Sequence, residues 1–340
     1  MNIIRKLIAA ASASLALAAA APAAAQEVEY DAIEEKNLLK GKASIEADKG
    51  YILLTLPARG NGIFVKTPDA DDIAEYNEEW EEKYEKAAER YAKKLKSYEQ
   101  QLAAWDRQRR KRTARPEKPE EVTRETFSIG DIERRMLVSF GPQYVFSKDT
   151  DGEKSYSYMI QVEPGTYTYY GPIFLMPNGQ TMGTCYCMGS VKFEVGAGEI
   201  TDLGTFMAQD WASDGDMQMA TVGYEPMGRD PRPVEYPTFA SLADYNVVPA
   251  DLRAAGKMNN FFGILIGRHP PVEGVLAYDR DRVIDVKEAE AIAAMEAEAE
   301  ALAEAAEAVA EAAEAIEDAE AALGEVVAES AAETAAGSGN

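Results

Sequence analysis

Short, largely apolar runs recur between turn residues along much of this chain, and large apolar positions recur with a period of seven over two long stretches. The short stretches include 43–45, 51–56 and 62–66, separated by Asp48-Lys49-Gly50 and by Arg59-Gly60-Asn61-Gly62. Short apolar runs bounded by turn residues are the mark of strands. The same texture resumes at 135–140, 144–146, 156–162, 166–170, 191–195 and 200–204. Many short strands joined by Gly and Pro turns predict an antiparallel β-sandwich of Ig- or prealbumin-like type, so the chain is expected to be mainly β with long helices.

The first heptad stretch covers 71–112, which holds neither Pro nor Gly. Tyr84, Tyr91, Tyr98 and Trp105 fall seven apart, and Ala88, Leu95 and Leu102 each follow one of the tyrosines by four. This a/d stripe predicts a long amphipathic helix, inserted into the sandwich after Pro68, with one face that needs cover. In the second stretch Met295, Leu302, Val309, Ile316 and Leu323 fall seven apart in a background of Ala and Glu. Alanines at 305, 312 and 319 stand three after members of that row, and those at 299, 306 and 313 stand four after. The composition favours an acidic helix over 288–333, with disorder over 334–340. Aromatics on one helix complement alanines on the other, so the two are expected to pair, within one chain or between chains. These nine large residues form the expected helix interface.

The start of the chain adds an address. Arg5 and Lys6 lead into an apolar run that ends in Ala23-Ala24-Ala25. That pattern predicts a Sec-type signal peptide over residues 1–25, cleaved before Gln26, and hence a periplasmic or secreted protein. No cysteine stands near the cleavage point to carry a lipid, and no later segment is apolar for the length a membrane span needs. The expected organisation is then a discontinuous sandwich (26–70 and 120–223), an inserted helix with a basic linker (71–119), a Pro-rich wrapping segment ending in a strand (224–287), and the acidic helix.

Charge narrows the partners. Removing residues 1–25 takes away two bases and no acid, leaving 33 Lys+Arg against 59 Asp+Glu, a net of −26. Such a chain is repelled by nucleic acid and by anionic lipid. Residues 288–340 hold 15 acids and no base. The basic run at 107–112 is accounted for by the helix macrodipole, the acids of that helix lying toward its start.

The strongest candidate chemistry is Met182-Gly183-Thr184-Cys185-Tyr186-Cys187-Met188. Two thiols and two thioethers make a soft ligand set suited to Cu(I), with Met217 and Met219 able to join if the chain folds back. The same C-x-C pair also reads as a redox-active disulfide, and more readily as a passive disulfide or two thiols on one strand face. On a regular strand the two Cα atoms stand too far apart for easy bridging, so a disulfide requires a turn there. His269 is the single histidine and is read as a loop or surface imidazole, with no nucleophile to serve. Asp149-Thr150-Asp151-Gly152-Glu153 and Asp214-Gly215-Asp216 read as turns, and the tyrosines at 156, 158, 167, 169 and 170 as ordinary sheet residues. Hydrolase and phosphate-loop motifs are absent.

Two segments, Val162-Glu163-Pro164-Gly165-Thr166-Tyr167 and the stretch from Val191 through Gly196-Ala197-Gly198 to Gly204, resemble bacterial envelope β-sandwich domains of the PEGA-like kind. The resemblance implies a small antiparallel sandwich and a non-catalytic envelope module. The expectation is an exported, soluble binding or scaffolding protein with no cofactor. Its partner is an envelope protein or itself, reached through the heptad helices. The alternative is a periplasmic Cu(I)-binding or thiol-redox protein centred on Cys185 and Cys187.

Overall fold

The computed structural model describes residues 30–107, 114–149, 154–175, 180–210 and 233–337. The signal segment, most of the basic run, the Asp151 turn, the Asp214 turn, and Met217 and Met219 lie outside them. The fold mixes helices with several antiparallel sheets, and the chain divides into two compact units, one over 67–138 and one over 30–66 with 139–340.

In chain order the first elements are β1 (Asp31–Ile33), α1 (Glu35–Leu39), β2 (Gly50–Leu56), β3 (Gly62–Lys66) and α2 (Ala70–Asp106). Then come β4 (Leu137–Phe140), β5 (Ser147–Asp149), β6 (Ser155–Val162), β7 (Gly165–Gly171), β8 (Ile173–Leu175) and β9 (Thr181–Cys185). The rest are β10 (Ser190–Val195), β11 (Ile200–Asp202), β12 (Val247–Pro249), β13 (Arg253–Ala255), β14 (Leu265–Ile266), β15 (Leu276–Asp279), β16 (Arg282–Asp285) and α3 (Val286–Gly337).

The helical unit is built on α2. Asp69 caps it, its carboxylate accepting the N–H groups of Asp71 and Asp72 while Asp72 reaches back to the Asp69 N–H, a reciprocal capping box. The aromatic stripe does not stand open. Residues 114–131 return along the helix and set Phe127 5.6 Å from both Trp80 and Tyr84, which stack on each other at 5.2 Å. Arg124 covers the same rings, 4.9 Å from the Tyr84 ring centre, and forks onto Glu81 at 2.6 and 2.8 Å. Further along, Tyr91 and Lys94 line a groove of about 530 Å³ with Pro119 and Val122. Tyr84, Tyr91, Tyr98 and Trp105 are all half-buried.

In the other unit, one sheet runs β1-β6-β2-β11-β12, with β5 also on β6. A second contains β13-β10-β7-β3 in that order. Short turns carry the chain from one sheet to the other. Glu163-Pro164 joins β6 to β7, and Gly165 at φ +150 makes that corner without strain. Gly196-Ala197-Gly198 joins β10 to β11 in the same way, with the Gly198 N–H donating to the Lys49 carbonyl at 2.7 Å. The pairing is mostly antiparallel, but β11 runs parallel to β2 and β12, and β14 parallel to β9. Entry from the opposite sheet leaves strand direction free. The long connection over 203–246 permits the parallel return that a hairpin forbids.

Every residue of β2 is buried because both faces of its sheet are covered. On one face Tyr51, Leu53, Met159 and Ile200 pack with Leu38 of α1, Phe146 and Leu242. On the other, Tyr158 meets Phe140 at 5.2 Å between ring centres, and a side chain on Gly50 would collide with Val195. This layering is compatible with a β-sandwich. Three strand expectations change. Residues 43–45 are irregular, although Ala43 and Ile45 still pack on the core, and 144–146 precede β5 instead of forming a strand. The single strand read from Val275 to Val286 is the hairpin β15–β16, turned at Arg280 with φ 55. Residues 233–273 of the Pro-rich segment supply β12 to one sheet and β13 to the other.

Candidate functional site

The C-x-C motif sits where β9 ends. After Cys185 the chain turns, which draws the two Cα atoms to 5.1 Å, and the sulfurs are joined as a disulfide. Two residues on a regular strand stand about 6.7 Å apart, so the turn makes the bridge geometrically feasible. Cys185 and Cys187 are 0% and 3% exposed. Backbone bonds pin the turn on both sides: Tyr186 N–H to the Tyr170 carbonyl (2.8 Å), Gly267 N–H to Cys185 (2.7 Å) and Met258 N–H to Cys187 (3.0 Å). Tyr170 seals it, donating its hydroxyl to the Asn259 carbonyl, accepting the Phe261 N–H and stacking on Phe261 at 5.5 Å. Burial pushes the Tyr170 phenol up. Met182 is exposed on β9 and Met188 is half-buried in the turn. Among the described residues no three His, Cys, Asp or Glu side chains converge as a metal site.

His269 is not a surface imidazole. It is fully buried among the rings of Tyr169, Tyr186 and Phe206, with centres 5.4 to 5.9 Å away. Its Nδ1 lies 2.7 Å from the Pro270 carbonyl, which can only accept, so the proton is on Nδ1. Tyr158, Tyr167, Tyr169 and Tyr170 are likewise core residues, at most 1% exposed.

Asp202, at the end of β11, drew no notice in the sequence. It is 3% exposed, and its Oδ1 accepts the Gly204 N–H at 2.8 Å. Gly204 holds φ +56, and a Cβ there would collide with the Glu235 carbonyl. Burial pushes the Asp202 carboxyl up to about 6, against the pull of that N–H. Tyr236 is pushed up by its own burial and by the Asp202 and Asp251 charges.

A polar cleft of about 720 Å³ lies where β12 leaves one sheet and β13 joins the other, with Lys192, Glu194, Glu199, Asp251, Arg253 and Asp285 on its walls. Its charges serve largely to fasten α3. Asp285 Oδ2 accepts from Arg253 Nε (2.9 Å) and the Ala254 N–H (3.2 Å), while Oδ1 caps the helix through the Glu288 N–H (3.1 Å). Lys287 adds an ion pair to Asp251 at 2.5 Å. Burial raises the Asp285 carboxyl, and Arg253 with the Glu288 and Ala254 N–H groups more than reverses it, leaving it below its usual range. The signal for this anchor was the spacing Asp285-Val286-Lys287-Glu288 ahead of the Ala-rich run.

Beyond the anchor, α3 carries its apolar row in the open. Met295, Leu302, Val309, Ile316 and Leu323 are 62% to 69% exposed. Among the described residues no helix is long and apolar enough to cross a membrane. The two expected interface rows therefore differ: the α2 row is half-buried and meets its own return segment at Tyr84 and Tyr91, and the α3 row presents five large side chains to solvent. No protein family, curated protein or solved structure matches this chain.

Proposed function

We propose that this is an exported, non-catalytic protein of the bacterial envelope. Its body, an Ig- or prealbumin-like sandwich, holds α3 out as an arm for binding or scaffolding. The observation that carries the reading is the row of large aliphatics left in water along α3. Isolated exposed aliphatics are ordinary, but five at heptad spacing on one helix form a contiguous docking face. The cleft residues add support, because a capped and ion-paired root is what an arm that bears load requires. Export rests on the signal-like residues 1–25, and the PEGA-like turns fall at corners where the chain changes sheets. A Cu(I) or thiol-exchange role has less support, since its two sulfurs are bonded to each other and buried.

The test is removal of residues 288–340, followed by crosslinking in cells and fractionation of the envelope. The truncated body is expected to melt as the full chain does, while crosslinked assemblies disappear. Assemblies of unchanged size would refute the arm.

A further inference from the structure

The docking face of α3 has a charge pattern that selects its partner. With Leu302 taken as position a of a heptad, the acids over 299–319 are Glu300, Glu304, Glu307, Glu311, Glu314, Glu317 and Asp318. All seven fall at b, c or f, the side turned away from an a/d seam. The e and g positions, where charged side chains normally read a partner helix, are alanine over this stretch: 299, 306 and 313 at e, and 301, 308 and 315 at g. A face built to recruit a basic helix would place its acids at e and g. This face keeps them in water and presents only aliphatic and methyl groups.

Resting on the reading of α3 as an interaction arm, we propose that its occupant is α3 of a second copy of this chain, packed antiparallel. In an antiparallel pair the a residues of one helix lie against the d residues of the other. Over 302–319 a is large and d is alanine, so each layer of that stretch sets a large side chain against a small one and the helices keep an even, close spacing. A parallel pair would alternate large-on-large layers with Ala-on-Ala layers and leave gaps beside the alanines. Overlaying the two uncharged stretches places Leu302 of one copy against Ala319 of the other, Ala305 against Ile316, and Val309 against Ala312. The seven acids of this stretch fall on the outer sides of both helices, so pairing over 299–319 need not desolvate them. At 1.5 Å per residue the 52-residue helix extends about 78 Å, which leaves room for both bodies at opposite ends.

Sedimentation of the purified full chain tests the proposal. The expected species has about twice the 37.1 kDa chain mass. Leu302→Glu with Val309→Glu is expected to return it to single mass with the circular dichroism of a folded, helical chain. A wild-type chain that stays monomeric at tens of micromolar would overturn self-pairing. Orientation is read by cysteine crosslinking: Ala305→Cys chains mixed with Ile316→Cys chains are expected to link, and neither variant alone. Self-linking of Ala305→Cys alone would overturn the antiparallel arrangement. A monomer in purified form that still enters tail-dependent assemblies in cells would overturn the self-pairing and leave the arm intact; loss of both would sink both.

Discussion

The buried carboxyl of Asp202 offers the sharpest energetic test of the body. In an unfolded chain it ionises at the ordinary 3.8, and in the fold at about 6. Below 3.8 both states hold the proton and the residue costs nothing. Between the two values the unfolded chain releases its proton while the folded one keeps it, so stability falls as pH rises. Above 6 both are ionised and the full penalty remains, about 3 kcal/mol at 1.36 kcal/mol per pH unit of difference. Asp202→Asn removes the ionisation and keeps an oxygen to accept the Gly204 N–H. Denaturant unfolding of both proteins, followed by the near-ultraviolet circular dichroism of the buried tyrosines of the sheet unit at a fixed chain concentration, gives the difference at each pH. Distant carboxylates contribute equally to both proteins and cancel. The variant should match wild type near pH 4 and exceed it by about 3 kcal/mol near pH 7.5, with the change centred between those limits. A difference that stays flat with pH, or that grows toward acid, would refute the burial argument.

Phe127→Ala should cost the helical unit about 2 kcal/mol, less than a fully buried Phe because the site is half-open. The expected readout is faster proteolysis within 114–127 while the melting of the sheet unit is unchanged; equal cleavage rates would mean that the return segment is held elsewhere. Asp285→Ala removes the α3 cap and the Arg253 partner, a loss of about 1–2 kcal/mol that should speed hydrogen exchange in the first turn of α3 and at Ala254. Unchanged exchange at both places would contradict the anchor. Reductant and a thiol label applied to the native protein should leave Cys185 and Cys187 unmodified until denaturant is added, because both lie under the 258–262 segment. Prompt labelling without denaturant would contradict that cover.

What the sequence made legible was local. The runs at 51–56, 62–66, 156–162 and 191–195 become strands nearly at their expected limits, because each apolar run and its flanking turns lie within a few residues of each other. Both heptad rows were visible for the same reason. Their different fates were not, since Phe127 stands 43 residues after Tyr84 and no short period links them. His269 looked like a loop residue beside two prolines, yet its cage is assembled from β7, the disulfide turn and Phe206, three places far apart in the chain. Asp202 read as the end of a strand, and only the tertiary fold shows that Tyr236 and the Glu235 backbone close over it. The turn in Asp279-Arg280-Asp281-Arg282 carries no Gly, Pro or Asn, so β15 and β16 merged into one apparent strand.

Asp285 ties the first turn of α3 to β13 with one carboxylate, beside the Lys287–Asp251 ion pair. One of its oxygens starts α3, and the other grips Arg253 and the Ala254 backbone on β13. The edge strand of that sheet and the first turn of α3 therefore answer to one charge. Neutralising it loosens both together, although they lie about thirty residues apart in the chain.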